Sequence, residues 1–249
     1  MSKLPSAPLI EVIFELTWPI NDNKDKEKFQ FMLGDIYSKL KDEYPNRLNL
    51  IAAPNMEIPV EVFINKPMYR FTKNGSYPLY QLGPGLLSVN TIDLFYFWDE
   101  FEKEILKIIN VMNDSYDFEE NTNLNLALKY IDFFPFDFNN NKNNAFEYLK
   151  EHLHLEIKHN IQPKNTVPLF FTFAAGYPCD VGLFNTIINR GGYNNEEGLI
   201  IETNVTKQII SSNLKSLSDW LEKSHDFLSN KFKKMTEGAL YESFKQPKI

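Results

Sequence analysis

The alternation of side chains in residues 9–18 constrains the fold more than any other feature of this sequence. Every even position from 10 to 18 is apolar, whereas the odd positions include Glu11, Glu15 and Thr17. Successive side chains of a β-strand point to opposite faces of its sheet, so the pattern predicts a strand with one face on a core. Pro19 ends this strand, because proline has no backbone N–H to donate to the ladder.

The order of the predicted elements repeats along the chain. Apolar residues at steps of three and four predict a helix over residues 24–44, followed by strands at 60–64, with a continuation through 68–72 as an alternative, at 79–82 and at 86–92, and a helix at 94–112. After a polar, acidic stretch at 114–123 come a strand at 124–131, a helix at 146–157, strands at 167–174, 181–188 and 199–206, and a helix from 212. The sequence therefore predicts two βαβββα-like halves, residues 1–118 and 119–249.

Two such halves predict the α+β class, with a continuous, mainly antiparallel sheet backed by helices. We expect the halves to pack as one structural unit. The similarity between them is confined to short stretches such as 85–90 and 198–203. Chance resemblance is therefore the alternative to a true duplication.

The charge and the cysteine content disfavour several classes of protein. The formal net charge is −7, and an acidic surface repels the phosphates that dominate nucleic-acid binding. Cys179 is the only cysteine, which excludes a disulfide within the chain and suits a cytoplasmic location. No segment has the apolar length of a membrane span. We therefore expect neither a nucleic-acid partner nor a membrane.

No stretch of the sequence contains a recognisable catalytic, metal-binding or nucleotide-binding motif. The best metal candidate is a group of histidines and glutamates on the predicted helix at 146–157 and just beyond it: Glu151, His152, His154, Glu156 and His159. Leucine and isoleucine already occupy the buried stripe of that helix, so we interpret these residues as solvated. The sequence predicts no catalytic residue, no metal and no cofactor.

Two groups of residues are candidates for binding. Strand alternation could aim several polar residues at the open face of the sheet, and these form a candidate ligand site: Glu11, Arg70, Gln81, Lys129 and Asp132. Phenylalanines around Pro135 form a candidate protein interface: Phe133, Phe134, Phe136 and Phe138. Packing in the core is the alternative for this aromatic segment, because a neighbouring element could cover it.

Segments along nearly the whole chain carry a resemblance to a known family: residues 7–12, 18–19, 80–88, 98, 101, 128–132, 225–226, 232 and 236–244. Together they resemble a sporadically distributed family of uncharacterised bacterial proteins. Lys129 and Asp132 depart from its pattern, because many relatives have Arg and Asn there, and Lys would change the geometry of a cation pair. The resemblance implies an overall organisation but no specific activity.

These observations predict a non-enzymatic binding or interaction protein, whose partner is another protein or a second copy of the chain. The patchy distribution of the similar family favours a component of a bacterial defence or toxin–antitoxin system. The alternative is a small-ligand sensor, or an unrecognised enzyme, that uses a pocket on the open face of the sheet.

Overall fold

The computed structural model describes residues 3–51, 60–119, 121–139, 144–158, 160–161, 168–210 and 216–247. They form an α+β fold, which confirms the predicted class. The first half of the chain contains β1 (Leu9–Thr17), α1 (Asn23–Leu40), β2 (Asn46–Asn49), β3 (Tyr69–Lys73), β4 (Ser76–Gly83), β5 (Leu86–Ile92) and α2 (Trp98–Asn113). The second half contains β6 (Asn123–Pro135), α3 (Ala145–Leu153), β7 (Thr172–Cys179), β8 (Gly182–Tyr193), β9 (Glu196–Ile210), α4 (Leu217–Met235) and α5 (Ala239–Phe244).

Two parts of the first half differ from the prediction. The strand predicted at residues 60–64 is wrong, because Val60–Phe63 form a 3-10 helix and the strand begins at Tyr69. A run of four or five residues is too short for its apolar pattern to separate a strand from a helical turn. The additional strand β2 has four exposed residues and therefore no apolar face that the sequence could reveal.

The described strands form one nine-stranded sheet in the order β2-β3-β4-β5-β1-β6-β9-β8-β7. The pairings of β1 with β5, β2 with β3, β3 with β4, β4 with β5, and β7 with β8 are antiparallel. Within each half the first strand lies beside the last strand, in the orders β3-β4-β5-β1 and β7-β8-β9-β6. The halves therefore share one connectivity, while their origin by duplication stays a prediction.

The chain groups into two compact units that differ from the simple division into halves. Unit 1 comprises Met1–Ile10, Lys129–Val205 and Lys223–Ile249, and unit 2 comprises Glu11–Leu128 and Thr206–Glu222. The boundaries between the units fall within β1, β6, β9 and α4. None of the helices in the described part of the chain is long and apolar enough to cross a membrane.

Local capping explains where two of the helices begin. The side chain of Asp22 accepts a hydrogen bond from the backbone N–H of Asp25 at 3.0 Å, which caps α1. Asn144 caps α3 in the same way through the N–H of Phe146. Both side chains satisfy N–H groups that have no partner inside the helix.

The strand register defines the two faces of the unit 2 sheet. Phe14, Val89, Tyr80 and Phe71 stand in one row across β1, β5, β4 and β3, and all four are buried. The ring of Phe71 lies 6.4 Å from that of Tyr37 in α1, centroid to centroid. This row therefore points toward the helices, and we call its side the helix face of unit 2.

The core of unit 1 is built largely from aromatic and leucine side chains. Its buried members include residues of β6, α3, β8, β9 and α5: Phe134, Phe136, Phe138, Ala145, Leu149, Leu153, Ile188, Leu199, Ile201 and Phe244. Phe232 of α4 packs against this cluster from outside it. The helices of unit 1 thus cover the sheet side that bears Ile188, Leu199 and Ile201.

Candidate functional site

A row of polar residues crosses the unit 2 sheet on the side opposite the helices. Arg70 of β3 stands opposite Gln81 of β4, Gln81 opposite Ser88 of β5, and Ser88 opposite Glu15 of β1. Each of these positions is offset by one residue from the buried row of the helix face, and side chains in a strand alternate between faces. We call this side the polar face; Glu11 and Asn90 also lie on it.

Hydrogen bonds connect three strands across the polar face. Asn90 Nδ2 donates to Glu11 Oε1 at 2.8 Å. Ser88 Oγ lies 2.9 Å from Asn90 Oδ1 and 3.4 Å from Gln81 Oε1, and its single proton can be donated to one of them at a time. Ser88 and Asn90 are both buried. The polar face therefore contains an ordered chain of donors and acceptors that ends at the Glu11 carboxylate.

Arg70 is the member of this row without a partner. Its Nε–H is buried and makes no hydrogen bond, and the described residues offer its guanidinium no ion pair. An arginine stays charged at every pH of interest, and a buried donor without an acceptor costs about 1–3 kcal/mol. The described residues offer the Nε–H of Arg70 no acceptor that would offset this cost.

A second polar group lies on the helix face of unit 2 around Glu104 of α2. Its members, which we call the Glu104 cluster, are Glu43, Tyr44, Lys73, Tyr80, Glu104 and Lys107. Tyr44 Oη donates to Glu104 Oε2 at 2.8 Å, and the Tyr80 hydroxyl donates to the same oxygen. Lys73 Nζ donates to Glu104 Oε1 at 3.1 Å and to Glu43 Oε1 at 2.5 Å. The cluster links α2 to β3, β4 and the end of α1.

These contacts fix the protonation states of the cluster. Burial raises the pKa of Tyr80 and that of Tyr44, and the nearby Glu104 carboxylate acts in the same direction. Burial alone would raise the pKa of Glu104, but the hydrogen bonds from Tyr80, Tyr44 and Lys73 outweigh it and lower that pKa. The hydrogen bonds of Lys107 and Lys73 lower the pKa of Glu43.

The Glu104 cluster is suited to a structural role. Its two lysines balance its two glutamates, and both oxygens of Glu104 already accept hydrogen bonds. A general base needs a free lone pair within reach of a substrate proton, and neither tyrosine ionises near neutral pH. The arrangement therefore holds α2, β3, β4 and the segment after α1 together.

The residues of the predicted ligand site belong to both units. Glu11, Arg70 and Gln81 share the polar face of unit 2. Lys129 and Asp132 lie on β6, where their spacing of three residues puts them on opposite sides of the strand. Asp132 is buried and falls on the side of Phe134, whose ring packs against Phe244 of α5.

The predicted interface segment is buried within unit 1. Phe133, Phe134, Phe136 and Phe138 have exposures of 7%, 2%, 9% and 3%. Phe136 packs edge-on against Phe138, with 4.7 Å between the ring centroids. The alternative of core packing therefore describes these side chains, and they leave no aromatic surface for a partner.

The described histidines belong to no group of three or more metal-ligating side chains, and no such group occurs elsewhere among the residues that the structure describes. The ring of His152 packs against Tyr148, and His154 ends α3 with a left-handed φ of 51°. His159 lies outside the described residues.

The outermost strand of unit 1, β7, is a feature that sequence reasoning did not single out. It pairs with β8 along all eight residues without a register shift, and its other edge meets no strand of the described chain. None of its residues is charged, and Ala174, Gly176 and Tyr177 are exposed. Its absence of charge was readable from the sequence, but its position at the sheet edge was not.

Comparison with protein-family models, with curated proteins and with solved structures finds no match to this chain. The resemblance to the bacterial family stays a prediction.

Proposed function

We propose that this protein is a non-enzymatic binding protein that accepts an extended segment of a partner protein along the outer edge of β7. The observation that carries the proposal is the length, regularity and lack of charge of this edge strand. An edge strand presents a row of backbone N–H and C=O groups that can pair with another chain. Such pairing is a common way for domains to recognise peptide segments.

The opposite edge of the sheet shows how an edge is usually protected. Natural edge strands are kept short or carry charged residues, which prevents pairing with foreign strands. β2 has both features, since it spans four residues and includes Arg47. β7 is twice as long, its centre is Ala174-Ala175-Gly176, and Pro178 lies only at its end. Neither a charged residue of β7 nor another strand of the described chain therefore protects this edge.

Exposed apolar side chains near β7 supply contacts beyond the backbone. Phe170 and Leu169 precede the strand with exposures of 86% and 83%. Tyr177 within the strand and Leu183 of β8 are also exposed. Aromatic residues are enriched at protein interfaces, so a partner segment with apolar side chains at alternate positions would match this surface.

The test places a charge at the centre of the edge. Ala174→Lys adds the residue type that blunts natural edges, and Leu94→Lys adds the same charge at an exposed apolar position of unit 2. Host proteins are captured with the wild-type protein, with Leu94→Lys and with Ala174→Lys. Those that the first two capture and Ala174→Lys does not are then purified, and their binding is titrated by calorimetry. We expect Ala174→Lys to weaken the titrated affinity at least about tenfold.

Hydrogen exchange distinguishes strand addition from docking through side chains. A paired partner strand should slow the exchange of β7 backbone amides, because they become hydrogen-bonded. A partner that binds Ala174→Lys with unchanged affinity and leaves β7 exchange unaltered would refute the proposal. Assembly of the protein with itself through β7 would identify a second copy as the partner.

Membership of a bacterial defence or toxin–antitoxin system is part of the proposal, supported by the distribution of the similar family.

A further inference from the structure

The turn between β7 and β8 shows which backbone groups of β7 face away from the sheet. Cys179 pairs with Gly182 across a two-residue turn, so these two residues form the hydrogen-bonded pair that closes the hairpin. Hydrogen-bonded and non-hydrogen-bonded pairs alternate along an antiparallel ladder. The odd positions of β7 therefore bond to β8, and the outward groups belong to the even positions: Thr172, Ala174, Gly176 and Pro178.

We propose that the partner at the β7 edge is a second copy of this chain, whose own β7 pairs with it in the antiparallel direction about a twofold axis. The inference rests on the proposed function, because both use the same edge. Ala175 of one copy lies opposite Ala175 of the other, so that residues 172–178 of the two strands overlap. A twofold pairing uses the same surface on both copies, so it closes with no β7 edge left over.

This register satisfies the outward N–H groups of both strands. Pro178 has no N–H to donate, and the register places it at the end of the overlap. The other outward N–H groups each meet a C=O of the second copy: that of Thr172 meets Pro178, that of Ala174 meets Gly176, and that of Gly176 meets Ala174. An axis at Ala174 would shorten the overlap to residues 172–176, and an axis at Gly176 would leave the Thr172 N–H beyond the paired strand.

The same register brings aromatic side chains together on the side of β7 that faces the helices of unit 1. Phe173 and Tyr177 stand opposite Ile188 and Phe184 of β8, and Phe173 packs against the core of unit 1. Between the copies, Phe173 faces Tyr177 in a non-hydrogen-bonded pair, where side chains approach most closely. Such cross-strand aromatic pairs stabilise antiparallel pairing.

A series of aromatic contacts within unit 1 ends at this edge. The ring of Phe227 in α4 packs edge-on against Phe184, with 5.5 Å between the centroids, and Phe184 stacks on Tyr177 at 6.4 Å. Tyr177 is nevertheless 54% exposed. Phe173 of the second copy continues the series and covers Tyr177.

The distribution of charge favours a second copy at this edge. Each chain has a formal net charge of −7, which opposes the association of two copies through most of the surface. Asp180 is the only charged residue of the sequence between positions 168 and 189. It lies in the turn, beyond the paired positions, and the two Asp180 residues fall at opposite ends of the pairing. Two β7 edges therefore meet with little like-charge repulsion.

Sedimentation velocity of the purified full chain tests for the second copy. We expect a monomer–dimer equilibrium with a Kd of about 10–100 µM, because an overlap of this length is a small interface. Ala174→Lys should weaken the dimer at least about tenfold. Leu94→Lys, which adds the same charge at an exposed position of unit 2, should dimerise as the wild-type protein does. Circular dichroism checks that both variants fold.

Cysteine cross-linking tests the register in a Cys179→Ser background. Ala175→Cys should form a disulfide-linked dimer under a mild oxidant, since the Cα atoms of a non-hydrogen-bonded pair are about 4.5 Å apart. Thr172→Cys is the matched control. Its counterpart lies six residues along the opposite strand, about 20 Å away, so it should not cross-link. Ala174→Cys should cross-link faster than Ala175→Cys only if the axis passes through Ala174.

The outcomes separate this inference from the proposed function. A protein that stays monomeric, while host partners are captured by the wild-type protein and lost with Ala174→Lys, would overturn the second copy and keep the proposed function. A monomer that captures no such partner would refute both. A dimer that Ala174→Lys leaves unchanged, or faster cross-linking of Thr172→Cys or Ala174→Cys than of Ala175→Cys, would overturn the pairing of β7 in this register.

Discussion

Replacement of Glu104 by Gln tests whether the Glu104 cluster stabilises unit 2. Gln has nearly the shape of Glu, so the change removes a charge with little change in volume. If the Gln oxygen stays with the two tyrosines, its amide NH2 group faces Lys73, and two donors then oppose each other. The Glu104 side chain is 18% exposed and that of Lys73 is 30% exposed, so solvent screens part of the effect.

The expected loss follows from these contacts. A hydrogen bond to a charged group contributes about 1.5–3 kcal/mol, and removal of one partner from a buried ion pair costs about 3–5 kcal/mol. The contributions are not additive, and partial exposure reduces them. We expect Glu104→Gln to lower the free energy of unfolding by about 3 kcal/mol.

Urea denaturation followed by circular dichroism measures this change. Glu100→Gln is the matched control, because it makes the same substitution on α2 at a side chain that is 75% exposed. Its contact with Lys103 is a surface pair, so we expect a change within about 0.5 kcal/mol. A loss below about 1 kcal/mol for Glu104→Gln, or equal losses in both variants, would refute the structural role of the cluster.

Three further predictions concern unit 2. The lowered pKa values of Glu43 and Glu104 mean that folding weakens their proton affinity. The contribution of these carboxylates to stability is complete above the ordinary pKa of 4.5 and is lost as pH falls through their lowered pKa values. When pH is lowered through the acidic range, the urea midpoint of Glu104→Gln should therefore decline less than that of the wild-type protein. Gly83→Ala would push a methyl group into the backbone carbonyl of Lys66 and should cost at least about 2 kcal/mol in urea denaturation. Gly34→Ala in α1, where the added methyl meets nothing within 4 Å, should stabilise by about 0.5–1 kcal/mol.

The sequence predicts those parts of the fold that depend on one-dimensional patterns. The alternation in β1 identifies its buried side, since Val12, Phe14 and Leu16 are all fully buried. The stripe of α1 likewise appears as buried residues from Phe29 to Leu40. β2 could not be predicted, because an exposed edge strand has no buried face to impose a pattern.

The candidate site was predictable only within the limits of strand alternation. Period two correctly groups Arg70 and Gln81 on one face, because each is offset by one residue from a buried neighbour in its own strand. It also separates Lys129 from Asp132, a consequence that the sequence-based grouping overlooked. The Glu104 cluster gave no signal, since Tyr44, Lys73 and Tyr80 lie 60, 31 and 24 residues from Glu104 along the chain.

The two polar groups of unit 2 differ in whether the fold itself compensates their charges. Every charge of the Glu104 cluster has a partner inside the fold, whereas Arg70 makes no hydrogen bond or ion pair with the described residues. Proteins retain such local deficits mainly at functional sites, because a residue that only stabilised the fold would be partnered. Arg70→Gln should therefore lower the free energy of unfolding by less than about 1 kcal/mol, in contrast to Glu104→Gln. A loss comparable to that of Glu104→Gln in the same urea assay would make Arg70 a structural residue and remove the main support for a ligand at the polar face.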